Sequence, residues 1–164
     1  MRLPLVILLA VILSTCSAFS PALPNSLDSP EALARAVLQA VERQDVDALS
    51  RLALNEQEFR EQVWPDLPAS RPERNLPFSY VWGDLRQKSE TQLKQMLAEY
   101  GGKKFELVSI RFRGDATTYA SYRVHRESEL MVKDPEGRER QVRLFGSVLE
   151  KNRRYKVFSY VNND

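Results

Sequence analysis

Cys16 is the only cysteine in the chain and His125 the only histidine. A lone cysteine near the N-terminus leaves no pair for an internal disulfide, and no thiol nucleophile or cysteine-based metal site in the rest of the chain. A histidine-based metal site would have to be completed by carboxylates, and none cluster at ligand spacing. No metal or cofactor is therefore expected. There is no glycine-rich phosphate loop and no Ser/His/Asp set, so no catalytic residue is assigned. Neither sign of charge is in excess, with 24 Lys plus Arg against 22 Asp plus Glu. The basic residues thicken toward the end (Arg138, Arg140, Arg143, Lys151, Arg153, Arg154, Lys156), but Glu136, Glu139 and Glu150 are interleaved with them. That pattern fits a solvated hairpin surface and argues against a nucleic-acid partner.

Long hydrophobic runs are also scarce. The longest, Leu3 to Leu13, is eleven residues without a polar side chain and follows Met1-Arg2. It falls short of the roughly 20 residues that span a bilayer as a helix and matches the core of an export signal. The run ends in Leu13-Ser14-Thr15-Cys16, which resembles the bacterial lipoprotein signal, with a branched apolar residue three positions before a cysteine. The resemblance implies that residues 1–15 are a signal peptide and that Cys16 becomes the N-terminus and carries the acyl chains. More than one chain would anchor the protein stably. Thr15 departs from the pattern, which usually has Gly, Ala or Ser there. The alternative is a soluble exported protein cut after Ala18 or Ser20. Ser17 after the cysteine, in place of Asp, implies the outer membrane if the cell has one. The expected location is thus outside the cytoplasm, anchored to a membrane and facing the periplasm or the exterior, or else soluble in the same compartment.

With 43% hydrophobic and 28% charged residues, the rest of the chain has globular composition, and its length suits one domain. Residues 16–28, rich in Pro, Ser and Asn in FSPALPNSLD, read as a tether, leaving residues 29–164 as the domain. Ser29-Pro30-Glu31 forms a helix start, and Leu33, Val37, Ala40 and Val41 recur at helical spacing up to Arg43. Gln44 to Asp47 breaks the pattern and caps a second short helix through Leu49, Leu52 and Ala53. Asn55 and Glu58 have capping-box spacing for a third, through Phe59, Val63 and Trp64. Four prolines between Pro65 and Pro77 predict a surface loop or lid. Phe78, Trp82, Leu85, Leu93, Met96, Leu97 and Tyr100 predict a long helix closed by Gly101-Gly102, with a break expected near Gly83.

From Lys104 the apolar period drops to two. Phe105 to Arg113, Thr117 to Val132, Gln141 to Glu150 and Tyr155 to Val161 read as four strands, with turns at Gly114-Asp115, Asp134 to Gly137 and Lys151 to Arg153. Sequential antiparallel neighbours are expected. Parity assigns Val108, Ile110 and Phe112, then Ala120, Tyr122 and Val124, then Val142, Leu144 and Val148 to the helix-facing side. The last strand is ambiguous, since Val157 with Val161 and Phe158 with Tyr160 are both apolar sets. The fold class is α+β, with N-terminal helices packed on a curved four-stranded antiparallel sheet.

Helices followed by an antiparallel meander, opened by helix, acidic break and helix over Leu33 to Leu52 and closed by Tyr155 to Val161, resemble the nuclear transport factor 2-like, or cystatin-like cone, superfamily. The resemblance covers nearly the whole mature chain and is one of pattern. It implies a bent, cone-like sheet with a pocket at its wide end. The superfamily includes isomerases, dehydratases and SnoaL-like cyclases as well as non-catalytic binding and assembly domains, so fold does not decide function. Trp82, Asp84, Tyr100 and Tyr122 are the candidate pocket residues, with Asp84 the carboxylate that an enzyme of this type would use. Each also has a plainer reading, as an exposed helix acid or a core aromatic. His125 alternates with Arg123, Ser121 and Glu127 on a polar strand face and reads as a surface residue. The expected function is a non-catalytic binding or assembly module of the cell envelope, with an isomerase- or dehydratase-type enzyme as the alternative. Candidate partners are the membrane, a small apolar ligand, an envelope protein, or a second copy in a homodimer.

Overall fold

The computed structural model describes residues 23–160, so the expected export signal, Cys16 and Val161 lie outside the described residues. Helix α1 (Pro30–Glu42) starts as its sequence dictates. The Ser29 side chain accepts from the Ala32 amide at 3.1 Å, and Leu33, Ala34, Val37, Leu38, Ala40 and Val41 form its buried stripe. Helix α2 (Val46–Leu52) is capped by Asp45, which accepts from the Ala48 amide at 2.8 Å. Helix α3 (Glu56–Glu58) has both arms of the capping box, Glu58 N–H to Asn55 and Asn55 N–H to Glu58, at 2.9 Å each. It widens at once into a π-helical turn, Phe59–Val63.

The proline-rich stretch folds as three single 3-10 turns, Trp64–Asp66, Pro68–Ser70 and Pro72–Arg74, each with a proline near its start. It is fastened rather than loose, because Asp66 accepts from both the amide and the hydroxyl of Ser121, at 2.9 and 2.7 Å. Helix α4 (Phe78–Tyr100) is continuous through Gly83, contrary to the expected break. Nothing lies within 4 Å of where a Gly83 Cβ would be, so the glycine answers no packing demand. Only Leu93 and Met96 of α4 are fully buried.

The chain then makes seven strands in the described residues: β1 (Glu106–Phe112), β2 (Thr117–Thr118), β3 (Arg123–His125), β4 (Ser128–Lys133), β5 (Glu139–Val142), β6 (Ser147–Lys151) and β7 (Arg154–Ser159). They form two antiparallel sheets, ordered β1-β4-β5 and β2-β3-β6-β7. The α+β class and the antiparallel pairing are as expected, and the four expected strands are recognisable as four passes. Three of those passes bend and continue from one sheet into the other, at residues 113–116, 126–127 and 143–146. Gly114-Asp115 is therefore a bend within a pass. The first hairpin turns later, where the Tyr119 amide donates to the Tyr122 carbonyl at 2.8 Å. Glu127, with φ of 53°, marks the second bend. The sheets do not close into a barrel.

Two parity assignments are corrected. Val108 is 47% exposed, because the β1–β4 register slips between Leu107 and Ser109 and leaves Val108 unopposed. This bulge turns Leu107, Ile110 and Phe112 to the core together. Ala120 is also exposed, at the hairpin tip, whereas Tyr122, Val124, Val142, Leu144 and Val148 are buried as expected.

The ambiguity of the last strand has a structural cause, since the four-stranded sheet is covered on both faces. Val148 and Val157 face a first core with α1, α2 and the end of α4. Val124, Leu149 and Phe158 face a second core with Phe59, Val63 and the start of α4. The stretch expected as tether is docked from its first described residue. Leu23 is buried in the second core, Leu27 pairs with Tyr155 through bonds of 2.9 and 2.8 Å, and Arg154 donates to the Ser26 carbonyl.

Candidate functional site

Where the passes bend, the sheets and the first half of α4 line a half-open cavity of about 420 Å³. Its apolar wall is built by Phe59 from the π-helical turn, Leu67 from the 3-10 turns, Val81 and Leu85 from α4, and Val124 and Phe158 from the sheet. Its polar lining comes from Asp84 and Tyr119 and, at the two facing bends, Arg126, Glu127, Ser128, Arg143 and Ser147. The bends are joined by the Ser128 amide, which donates to the Gly146 carbonyl at 3.0 Å, and by the Ser128 hydroxyl, which donates to the Phe145 carbonyl. A smaller cavity of about 270 Å³ adjoins it, with Leu85 and Phe158 common to both linings.

Of the four residues singled out in the sequence, only Asp84 lines the larger cavity. Its side chain is half exposed and lies 2.8 Å from Lys88 one helical turn on, an ordinary surface pair. Trp82 lines the smaller cavity and packs on Phe59, with ring centroids 5.3 Å apart. Its indole N–H is buried with no acceptor among the described residues. Tyr122 is buried in the second core, stacked on Tyr119 at 4.7 Å, with its hydroxyl donating to the Val63 carbonyl at 3.1 Å. Burial pushes its pKa up, as it does for Tyr100, which reaches about 12. Tyr100 lies elsewhere, at the far end of α4 and edge-on to Phe105 in the first core. The four residues thus do not form one site.

His125 is less open than its strand pattern implies. Its side chain is 17% exposed, its Nε2 is 2.7 Å from Glu150 Oε2, and its ring stacks on Phe112 at 4.7 Å. Glu150 also bonds Tyr155, whose pKa is raised first by burial and then by that carboxylate. This set clamps β3, β6 and β7 together and does not line the larger cavity. No group of three or more potential metal ligands occurs among the described residues, and no described helix is long and apolar enough to cross a membrane.

The sequence reading missed Arg126, Arg143, Phe59 and Phe158. Arg126 shares the parity of Tyr122 and Val124, whereas alternation places Arg143 on the outward face, and both join the cavity lining at strand bends. Phe59 was legible as a core residue of a capped helix, but not as a cavity wall. No protein-family model matches the chain, and neither a curated protein nor a solved structure was found to match it.

Proposed function

We propose that this protein is a non-catalytic binding module of the cell envelope, exported and held at a membrane by a lipid on Cys16, and that its larger cavity takes a small apolar molecule. The observation that carries the reading is the cavity's make-up: six apolar side chains from four separate parts of the fold line about 420 Å³, within the usual range for small-molecule sites. Trp82, Tyr100 and Tyr122 do not fill it, which favours a small ligand over an envelope protein as the occupant. The helix order and the meander path support our reading of the domain as a member of the cone superfamily, which holds catalytic and non-catalytic members alike.

The alternative reading, an isomerase- or dehydratase-type enzyme, draws on Asp84 and Tyr119 lining the same cavity. A catalytic carboxylate is commonly tuned by a dry site or a partner that orients it toward substrate. Asp84 is half exposed and engaged by Lys88 on the helix surface.

Titration with N-phenyl-1-naphthylamine, a neutral apolar fluorophore, tests the binding reading. Saturable uptake at one equivalent is expected, lost when Val81→Trp fills the cavity. The absence of saturable uptake by the folded protein would rule the reading out.

A further inference from the structure

We infer that the ligand of the larger cavity carries a long unbranched alkyl chain, which passes over Leu85 and Phe158 into the smaller cavity, so that the two cavities act as one extended site. This rests on the binding reading above and adds the shape of the ligand.

The two cavities lie in series along α4. Val81, Asp84 and Leu85 line the larger one, and Trp82, Leu85, Ser89 and Leu93 line the smaller one of about 270 Å³. Leu85 from α4 and Phe158 from β7 belong to both linings, and each is part-exposed, so apolar surface runs on from one cavity to the next. Val81 and Trp82 are part-exposed as well. The first half of α4 thus carries an apolar stripe that the fold leaves half covered, and covering it is favourable in proportion to the area removed from water. From Val81 to Leu93 the helix rises about 18 Å. With C–C bonds of about 1.5 Å an extended alkyl chain advances roughly 1.3 Å per carbon, so about 14 carbons match that length.

The polar side chains of the smaller cavity are engaged within the protein and ask nothing of a ligand. Arg86 pairs with Glu90 at 2.8 Å and Glu56 with Arg60 at 2.9 Å. Asn55 accepts from the Glu58 amide at 2.9 Å, and the Ser89 hydroxyl accepts from the Tyr160 amide at 3.0 Å. Ser50 is exposed to water. The unpartnered indole N–H of Trp82 is sealed from solvent, and so from the open cavity. What the smaller cavity offers is the apolar surface of Ala53, Leu54, Trp82, Leu85, Leu93 and Phe158, which suits the end of a saturated chain.

The test is calorimetric titration of the protein with hexyl-, octyl-, decyl- and dodecyldimethylamine N-oxide, each below its micelle concentration. This head has no net charge, which suits a lining where Arg126 and Arg143 balance Asp84 and Glu127. Affinity should rise about fourfold for each CH₂ buried, up to dodecyl. In Ser89→Phe, whose ring fills the smaller cavity, dodecyl should bind about tenfold less tightly than in wild type, while hexyl, short enough for the larger cavity, binds both alike. Ala53→Leu fills the same space from the end of α2 and keeps the bond between Ser89 and Tyr160. Should Ser89→Phe fail to fold, Ala53→Leu decides the matter, with a smaller loss for dodecyl. Dodecyl binding that neither substitution weakens, or an equal loss for hexyl and dodecyl, would overturn the extended site and leave the larger cavity standing as the pocket. Binding of no chain length would instead remove the pocket reading itself.

Discussion

Lys156 and Glu58 meet inside the protein, nitrogen to oxygen at 2.7 Å, with side-chain exposures of 1% and 5%. The same ammonium donates to the Pro24 carbonyl at 2.7 Å, and the other oxygen of Glu58 accepts from the Asn55 amide. One buried pair therefore ties β7, the capping box of α3 and the N-terminal segment together. Burial lowers the Lys156 pKa, and Glu58 opposes that shift. Glu58→Ala, which strands the ammonium, should cost about 3–5 kcal/mol in urea unfolding. Glu58→Leu/Lys156→Met should recover most of that loss. A Glu58→Ala variant within about 0.5 kcal/mol of wild type would mean that water reaches the pair.

The bulge in β1 separates two substitutions that strand parity treats alike. Val108→Lys should change stability by no more than about 0.5 kcal/mol, because the side chain points to water. Tyr122→Asp should cost more than about 3 kcal/mol or unfold the domain, because it removes a buried ring and leaves an unpaired carboxylate beside the second core. Melting temperatures of the two variants check this, and equal shifts would contradict the bulge.

Alkaline pH should destabilise the fold. Burial raises the pKa values of Tyr100, Tyr122 and Tyr160. A group whose folded pKa lies above its unfolded value contributes stability that is intact below the unfolded value, about 10 for tyrosine, and is lost as pH rises past it. The urea midpoint should fall between about pH 10 and 11.5, and less so in Tyr160→Phe. That variant also loses the 2.7 Å bond to the Leu49 carbonyl, worth about 1 kcal/mol at neutral pH. A wild-type midpoint that does not move above pH 10 would contradict the burial of these hydroxyls.

The proposed anchor predicts a mature chain that begins at Cys16 with an acyl adduct, read directly as intact mass from membranes of a bacterial host. Cys16→Ala should release the protein in soluble form. A mature protein starting at Phe19 or Pro21 without an adduct would replace the lipid reading by soluble export. Because the domain is docked from Leu23 onward, residues 17–22 alone would separate it from the lipid. At roughly 3.5 Å per residue, that holds the domain within about 20 Å of the bilayer surface.

The local features were legible because their causes are local. Ser29, Asp45, and Asn55 with Glu58, announce three helix starts, since each side chain bonds an amide three residues on or back. The hydrophobic stripe of α1 follows from its period alone. Alternation correctly placed Tyr122, Val124, Val142 and Val148 in the core. It failed at Val108, where one unopposed residue reverses parity and nothing in the Val108-Ser109 sequence marks a bulge, and at Ala120, which is exposed at the hairpin tip.

By itself, then, the sequence determined the α+β class and the order of helices before a meander. Tertiary structure alone decided where the passes bend from one sheet into the other, which of Gly114 or Tyr119 begins the hairpin, and which side chains face the cavity. The reason is the range of the interactions involved. Caps and amphipathic stripes are settled within a few residues, whereas a bend in an antiparallel pass depends on what packs on both faces of the sheet. Here Phe59, Leu85 and Phe158, far apart in the chain, meet Arg126 and Arg143 in one cavity lining.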